Sequence, residues 1–417
     1  MPAAFFVAAL VALSACDGAE PAKVAGARVL PSPAGPDSGE PHLSLTPEGD
    51  ALLSWLEEVE SGVQALRYSI LDGDRWSAPR EIARGADWFV NWADFPSVEA
   101  WNGGRMTAHW LARRPGGTYA YDIAISQSED QGRTWSAPFV PHQDGTATEH
   151  GFVSLFIVDN DVGALWLDGR NMSGSVHAAH SASGEAMTLR AALLSPEGGT
   201  TDEWLIDDRV CDCCQTDTAA TSEGIVAVYR NRTEEELRDI FVVRFDGTKW
   251  SEPAPIAEDG WRIAGCPVNG PAVAARGQRV GAVWFTAADG ERRVYFAQSG
   301  DRGKTFGDRV RADAGSPLGR VDVALLDAGA VVSWLGKSQH GHAEIRLRYI
   351  DLAGEASDVY VLAQTSAARS AGFPQMVASG GRLVFAWTET GGPTRVRTAV
   401  LSLTGEAGLT RATNSVN

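Results

Sequence analysis

Basic charge is in short supply in this chain. Its 417 residues carry 36 Lys and Arg against 53 Asp and Glu, a formal net charge of −17. That balance excludes a nucleic-acid partner, whose phosphates call for a basic surface. Charged residues make up only 21% of the chain, and their acidic excess speaks for solubility without pointing to a substrate. Helical periodicity is missing, apart from a short acidic patch at residues 233–237 (TEEEL). The apolar run at residues 1–16 (MPAAFFVAALVALSAC) is too short to cross a bilayer comfortably as a helix. Cysteine is sparse, with five residues, and tyrosine numbers seven. Glycine (45) and tryptophan (14) are plentiful, which fits an exported all-β protein.

A repeat overrules the two or three domains that this length would otherwise suggest. An apolar strand ending in an aromatic recurs at Trp55, Trp110, Trp166, Tyr229, Trp284, Trp334 and Trp387, with intervals of 55, 56, 63, 55, 50 and 53 residues. Several short strands per period of about 50 residues signal a β-propeller, whose four-stranded units cannot bury their faces alone. The expectation is a single seven-bladed β-propeller domain over residues 26–417. No fourth strand is obvious in the last repeat. Residues 26–30 (GARVL) are expected to supply it, joining the two ends of the chain and protecting an open sheet edge.

Two octapeptides share the pattern Ser-x-Asp-x-Gly-x-Thr-aromatic: residues 128–135 (SEDQGRTW) and 299–306 (SGDRGKTF). Each follows an alternating apolar run, so each reads as the loop of a β-hairpin. Relics stand at residues 72–79 (DGDRWSAP) and 246–253 (DGTKWSEP). The octapeptide resembles the Asp box of the sialidase superfamily, and there it implies a structural role. The same resemblance offers a six-bladed sialidase-like propeller as the alternative fold. It also implies a glycan or glycoconjugate as ligand. Hydrolysis of the exo-sialidase type would need arginines for a substrate carboxylate, a Tyr paired with a Glu as nucleophile, and an Asp as acid/base catalyst.

The N-terminal run ends in Leu13-Ser14-Ala15-Cys16 and resembles a bacterial lipoprotein signal. It implies a signal peptide over residues 1–15, diacylglycerol on Cys16, a small, polar tether over residues 16–25, and a lipid-anchored place in the cell envelope facing periplasm or exterior. The membrane would be met through that anchor only.

In a propeller, the loops leading into each blade and those joining its second and third strands converge on one face, while Asp boxes lie on the other. Sorting polar residues by loop places Trp88, Trp92 and Asp94 ahead of blade 2, and Glu149 and His150 ahead of blade 3. Residues 207–215 (DDRVCDCCQ) precede blade 4, and Trp261, Arg262, Cys266 and Asn269 precede blade 5. Asp168, Arg170, Arg230, Arg232 and Arg238 follow second strands. Indoles suit sugar rings, and Arg with Asp suits hydroxyls or carboxylates. Asp94, Glu149 and Asp168 are the candidate catalytic carboxylates for a glycoside. Tyr229, at a strand end, is the tyrosine nearest to a nucleophile's place. Cys211, Cys213, Cys214 and Cys266 should cluster, because equivalent loops of adjacent blades meet. Two disulfides, a copper or zinc site with His150 as an extra ligand, and a strained redox bridge are the readings left open. A non-catalytic scaffold for envelope proteins is the rival class.

Overall fold

The structure, a computed structural model, describes residues 22–23, 26–172 and 185–403. The expected signal peptide, Cys16 and the tether apart from residues 22–23 lie outside them. The fold is all-β, with seven sheets around one axis, so the six-bladed alternative is not realised. Blade 1 runs Ser38–Leu45, Ala51–Glu60, Val63–Asp72 and Arg80–Gly85. In blade 2, Ser97–Trp101, Arg105–Arg113 and Tyr121–Ser128 are joined by only a one-residue bridge, Ile125 with Phe139, where the fourth strand would lie. Blade 3 holds His150–Val158, Asp161–Asp168, Met187–Leu194 and Thr200–Val210. Blade 4 begins with Asp217–Ala220 and Ile225–Arg230, and blade 5 with Ala272–Arg276 and Arg279–Thr286.

Every repeating aromatic ends up on a second strand. Trp55, Trp166, Trp284 and Trp334 are almost wholly buried between neighbouring sheets. That is why the period could be read from aromatics: each blade needs one large side chain to fill the wedge against the next.

The ring closes as expected. Ala27–Leu30 pairs antiparallel with Arg395–Ser402, the third strand of blade 7, in the register Ala27 to Leu401. First strands line the axis around a cavity of about 420 Å³, whose walls include His42, Glu99, Asp217 and Asp322. They are laced to one another. Asp217 accepts the Val273 amide of blade 5 at 2.7 Å, and Asp322 accepts the Met376 amide of blade 7 at 2.6 Å.

The Asp boxes behave as hairpin locks on the far side. Asp130 accepts the Thr134 amide at 2.9 Å and hydroxyl at 2.8 Å, and these bonds, the amide first, bring its pKa down to about 2. Asp301 repeats the pattern with Thr305. Gly132 sits at φ +70°, and a Cβ there would stand 2.1 Å from Tyr68 Oη of blade 1. The box thus seals one blade against its predecessor. Gly132→Ala should lower stability by about 1–3 kcal/mol through overpacking, read by chemical denaturation; a change of only a few tenths would mean that Tyr68 yields without strain.

One expectation needs correcting. Residues 207–210 are not part of the loop into blade 4. They end the strand Thr200–Val210, because Asp207 and Val210 pair with Leu189 and Met187 across bulges. The loop starts at Cys211.

Candidate functional site

Three buried polar clusters occupy the loop face of blades 2 to 5. The first joins Asp94, from the loop into blade 2, Tyr121, which starts that blade's third strand, and Glu149, just ahead of blade 3. Tyr121 Oη lies 2.9 Å from Asp94 Oδ2 and 2.7 Å from Glu149 Oε1. A phenol has one proton to donate, so both contacts are bonds only when one carboxyl is itself protonated. Burial supplies that condition by pushing Asp94 up to about 7 and Glu149 up to about 8. Asp94 also accepts the Phe152 amide at 2.7 Å, which favours its charged form, so Glu149 is the better proton holder. Gly151 makes room for the cluster: a Cβ there would stand 2.1 Å from Asp94 Oδ2. Phe89 covers Tyr121, the rings stacked with centroids 4.1 Å apart.

Asp168 belongs to a second cluster. His142 and His150 stack face to face at 3.7 Å, and Asp144 Oδ2 lies 3.2 Å from a nitrogen of each. Arg170 grips Asp168 through Nε and Nη2 at 2.8 and 2.7 Å, and Trp166 Nε1 donates to the same carboxylate. Burial pushes Asp168 upward, but the Arg170 fork outweighs it and the pKa falls below the usual range. His150 therefore serves this carboxylate group, and among the described residues the ligand atoms near enough to share an ion with it are those of His142, Asp122, Asp144 and Asp168, not thiols.

The third cluster carries the cysteines and the remaining arginines. Arg232 bridges Asp212 at 2.9 Å and Glu236 at 2.7 Å. Arg238 also holds Glu236 and donates to Cys211 Sγ at 3.3 Å. Arg230 donates to the carbonyls of Arg238, Asn269 and Phe285 and lies over the Trp261 ring. These guanidinium groups are spent on the chain itself, whereas Arg262 is exposed and bonds the Glu235 carbonyl. The indoles are engaged too. Trp88 stacks on Trp110, and Trp92 stacks on Phe373 with Arg320 over both rings. Asn269 accepts the Arg320 amide. Tyr229 donates to Asp207, apart from the carboxylates of the first cluster. Among the described residues all four cysteines are thiols, so the expected disulfides are absent there. Cys211 and Cys214 sulfurs are 3.1 Å apart, beyond a bond of about 2.05 Å.

Sequence reasoning finds Asp94 and Glu149 but misses Tyr121, along with Asp122 and His142. The signal for Tyr121 is its place as first residue of a third strand, at the mouth of a loop on this face.

The sequence matches no family model and no curated protein. Solved structures match in fold. An α-L-arabinanase of Penicillium chrysogenum, complexed with arabinobiose, superposes with a TM-score of 0.53 at 12% identity, over 92% of this chain and 99% of that one. Phage phi92 endosialidase gives 0.48 at 10% identity, over 91% and 69%. Trypanosoma rangeli sialidase in complex with sialic acid gives 0.45 at 13% identity, and the match covers 79% of this chain but only 56% of the sialidase. The arabinanase match supports the propeller fold and nothing finer.

Proposed function

We propose that the loop face of blades 2 and 3 binds a glycan or glycoconjugate and hydrolyses a glycosidic bond in it, with Tyr121, Glu149 and Asp94 as the reacting groups. The observation that carries this reading is the Asp94–Tyr121–Glu149 triad. The two carboxyl oxygens are no further apart than two hydrogen bonds laid end to end, closer than the gap of about 6.5–9.5 Å that an inverting water needs, and the phenol between them is left as the nucleophile. Asp94 takes the Tyr121 proton as Oη attacks the anomeric carbon, and Glu149 gives its proton to the departing glycosidic oxygen. Glu149, now a carboxylate, then draws a proton from water, which displaces the sugar from Oη, and the Tyr121 oxygen regains its proton from Asp94. Substrate reaches the triad by displacing Phe89, and a sugar ring stacked in its place would present its C–H face to Tyr121.

The commitment of Arg170, Arg230, Arg232 and Arg238 to partners within the chain favours a neutral sugar over an acidic one. A screen of aryl glycosides and a glycan array, run on the same purified chain, tests this; neither binding nor turnover on any neutral glycan would overturn it. Placement at the envelope by acylation of Cys16 belongs to the same proposal. Cys16→Ser should move the protein from the membrane fraction to the soluble one, or stop its maturation, and unchanged fractionation would count against an anchor.

A further inference from the structure

Cys211, Cys213 and Cys214 fall within four residues of one loop, and Cys266 comes from the equivalent loop of the next blade. The three sulfurs of the first loop all lie within 4.8 Å of one another, with Cys211 to Cys214 at 3.1 Å and Cys211 to Cys213 at 4.0 Å. Cys266 adds a thiol beside that of Cys213, while the three sulfurs of the first loop are the ones spaced closely enough to share an ion. An ion with metal–sulfur bonds of about 2.3 Å sets its ligands about 3.8 Å apart when tetrahedral, and the observed spacings straddle that value.

The two loops are held for this arrangement. The Cys211 amide donates to the Arg230 carbonyl at 2.9 Å. Asp212, between two of the thiols, is turned away to Arg232 and the Met187 amide. Gln215 ties the loop to blade 2 through the Ala93 carbonyl at 2.5 Å and to blade 5 through the Gly270 amide at 3.0 Å. Gly270 has no room for a side chain, since a Cβ would stand 2.1 Å from the Gln215 carbonyl oxygen.

Charge and donor type both select the occupant. Several thiolates gathered in a buried site need positive charge, and the Arg238 guanidinium, fully buried, already reaches Cys211. Asp212, the carboxylate between two of the thiols, is committed to its arginine, which leaves sulfur as the donor set of that loop. Sulfur of this kind favours soft d¹⁰ ions over calcium, magnesium or manganese. We propose that Cys211, Cys213, Cys214 and Cys266 form a thiolate site for one soft d¹⁰ cation, copper(I) or zinc, at the junction of blades 4 and 5. Binding releases the thiol protons to solvent and involves no change of oxidation state. The site is independent of the glycan reading.

The test uses the full chain, reduced and handled without oxygen. Copper(I) is titrated against bathocuproine disulfonate, and zinc against a chromophoric chelator in a separate arm. The expected result is about one ion per chain, sulfur-to-copper charge-transfer absorption in the copper arm, and protection of the four cysteines from alkylation as mapped on peptides. Whichever cation resists its chelator identifies the occupant. Cys214→Ser and Cys266→Ser should weaken retention by about tenfold or more, and Cys213→Ser, at the half-buried position, provides a variant with the smallest demand on folding. The proposal fails if neither ion is retained by the wild-type chain beyond the level of the Cys211→Ser/Cys214→Ser variant, or if the native protein carries these cysteines as disulfides. Because glycan turnover is not the readout, failure here leaves the triad untouched.

Discussion

Tyr121→Phe should abolish glycoside turnover, with a loss of about 10⁴-fold or more, because the change removes the nucleophile itself and with it the covalent route. The change deletes one oxygen and keeps the ring that Phe89 stacks on, so packing is preserved. Two buried carboxyls lose their shared partner, which costs about 1–3 kcal/mol of stability. Glu149→Gln separates the roles. It keeps an acceptor for the Tyr121 hydroxyl but has no proton to give a leaving group, so substrates with good leaving groups should survive it far better than those with poor ones. Full turnover by Tyr121→Phe on any hydrolysed substrate would remove the triad from the chemistry. Both variants need a melting curve beside the kinetics, because Tyr121 is fully buried.

Stability should fall as pH rises from about 6.5 to about 8.5. Burial raises Asp94 to about 7, Glu149 to about 8, Glu99 to about 8 and Asp217 to about 7. In the unfolded chain such groups titrate near 4. The folded protein therefore holds protons that the unfolded chain has released, and the stability this confers is full below about pH 4 and drains away through the folded values. Each group contributes a slope of about 1.4 kcal/mol per pH unit between its unfolded and folded values, and the slope fades as pH passes the folded value. Buried histidines act in the opposite sense. His42 is lowered to about 4 and His109 and His142 to about 3, all by desolvation first, so they destabilise only below about 6.5. Asp130, held near 2, has finished titrating well below this window. Calorimetry at fixed ionic strength across the window reads the carboxyls alone, and Glu99→Gln, outside the triad, should flatten the slope. A melting temperature that stays level or climbs would show that these carboxyls are ionised in the fold without penalty.

The architecture is legible in the sequence because the physics that builds a blade is local and repeated. A second strand must carry a large apolar group, and an Asp box must carry its Ser, Asp, Gly and Thr in one run of eight. Even the closing strand is legible, as a missing fourth strand at one end and a spare one at the other. The candidate site is legible only in part. Loop carboxylates such as Asp94 and Glu149 stand out, whereas Tyr121 lies in an alternating strand where a tyrosine reads as core. The arginines can be assigned to the right face from sequence, but their partners cannot. Arg232 finds Asp212 from the preceding loop, and Arg230 finds carbonyls of Asn269 and Phe285 from the next blade. Such pairings depend on how loops fold over one another, and loop type says nothing about that. His150 shows the same limit: its place ahead of blade 3 is plain, but its stacking on His142 is set by a turn that brings residues 142 and 150 together.

The pairing of Ala27–Leu30 with Arg395–Ser402 also dictates how the molecule can be made. On a ribosome, the first of these strands emerges near the start of the propeller and waits unpaired until almost all the rest has followed. Six blades can stack in the meantime, each resting on its predecessor, while the seventh has no outer strand. Chain-closure entropy grows only with the logarithm of length, so this late join costs little more than one between closer partners. What the delay does impose is a period with unsatisfied strand edges, open to foreign strands and to proteases. A chain broken off anywhere ahead of residue 395 never leaves that period. Leu30, buried in the closed ring, stays exposed in the fragment and marks it as unfinished.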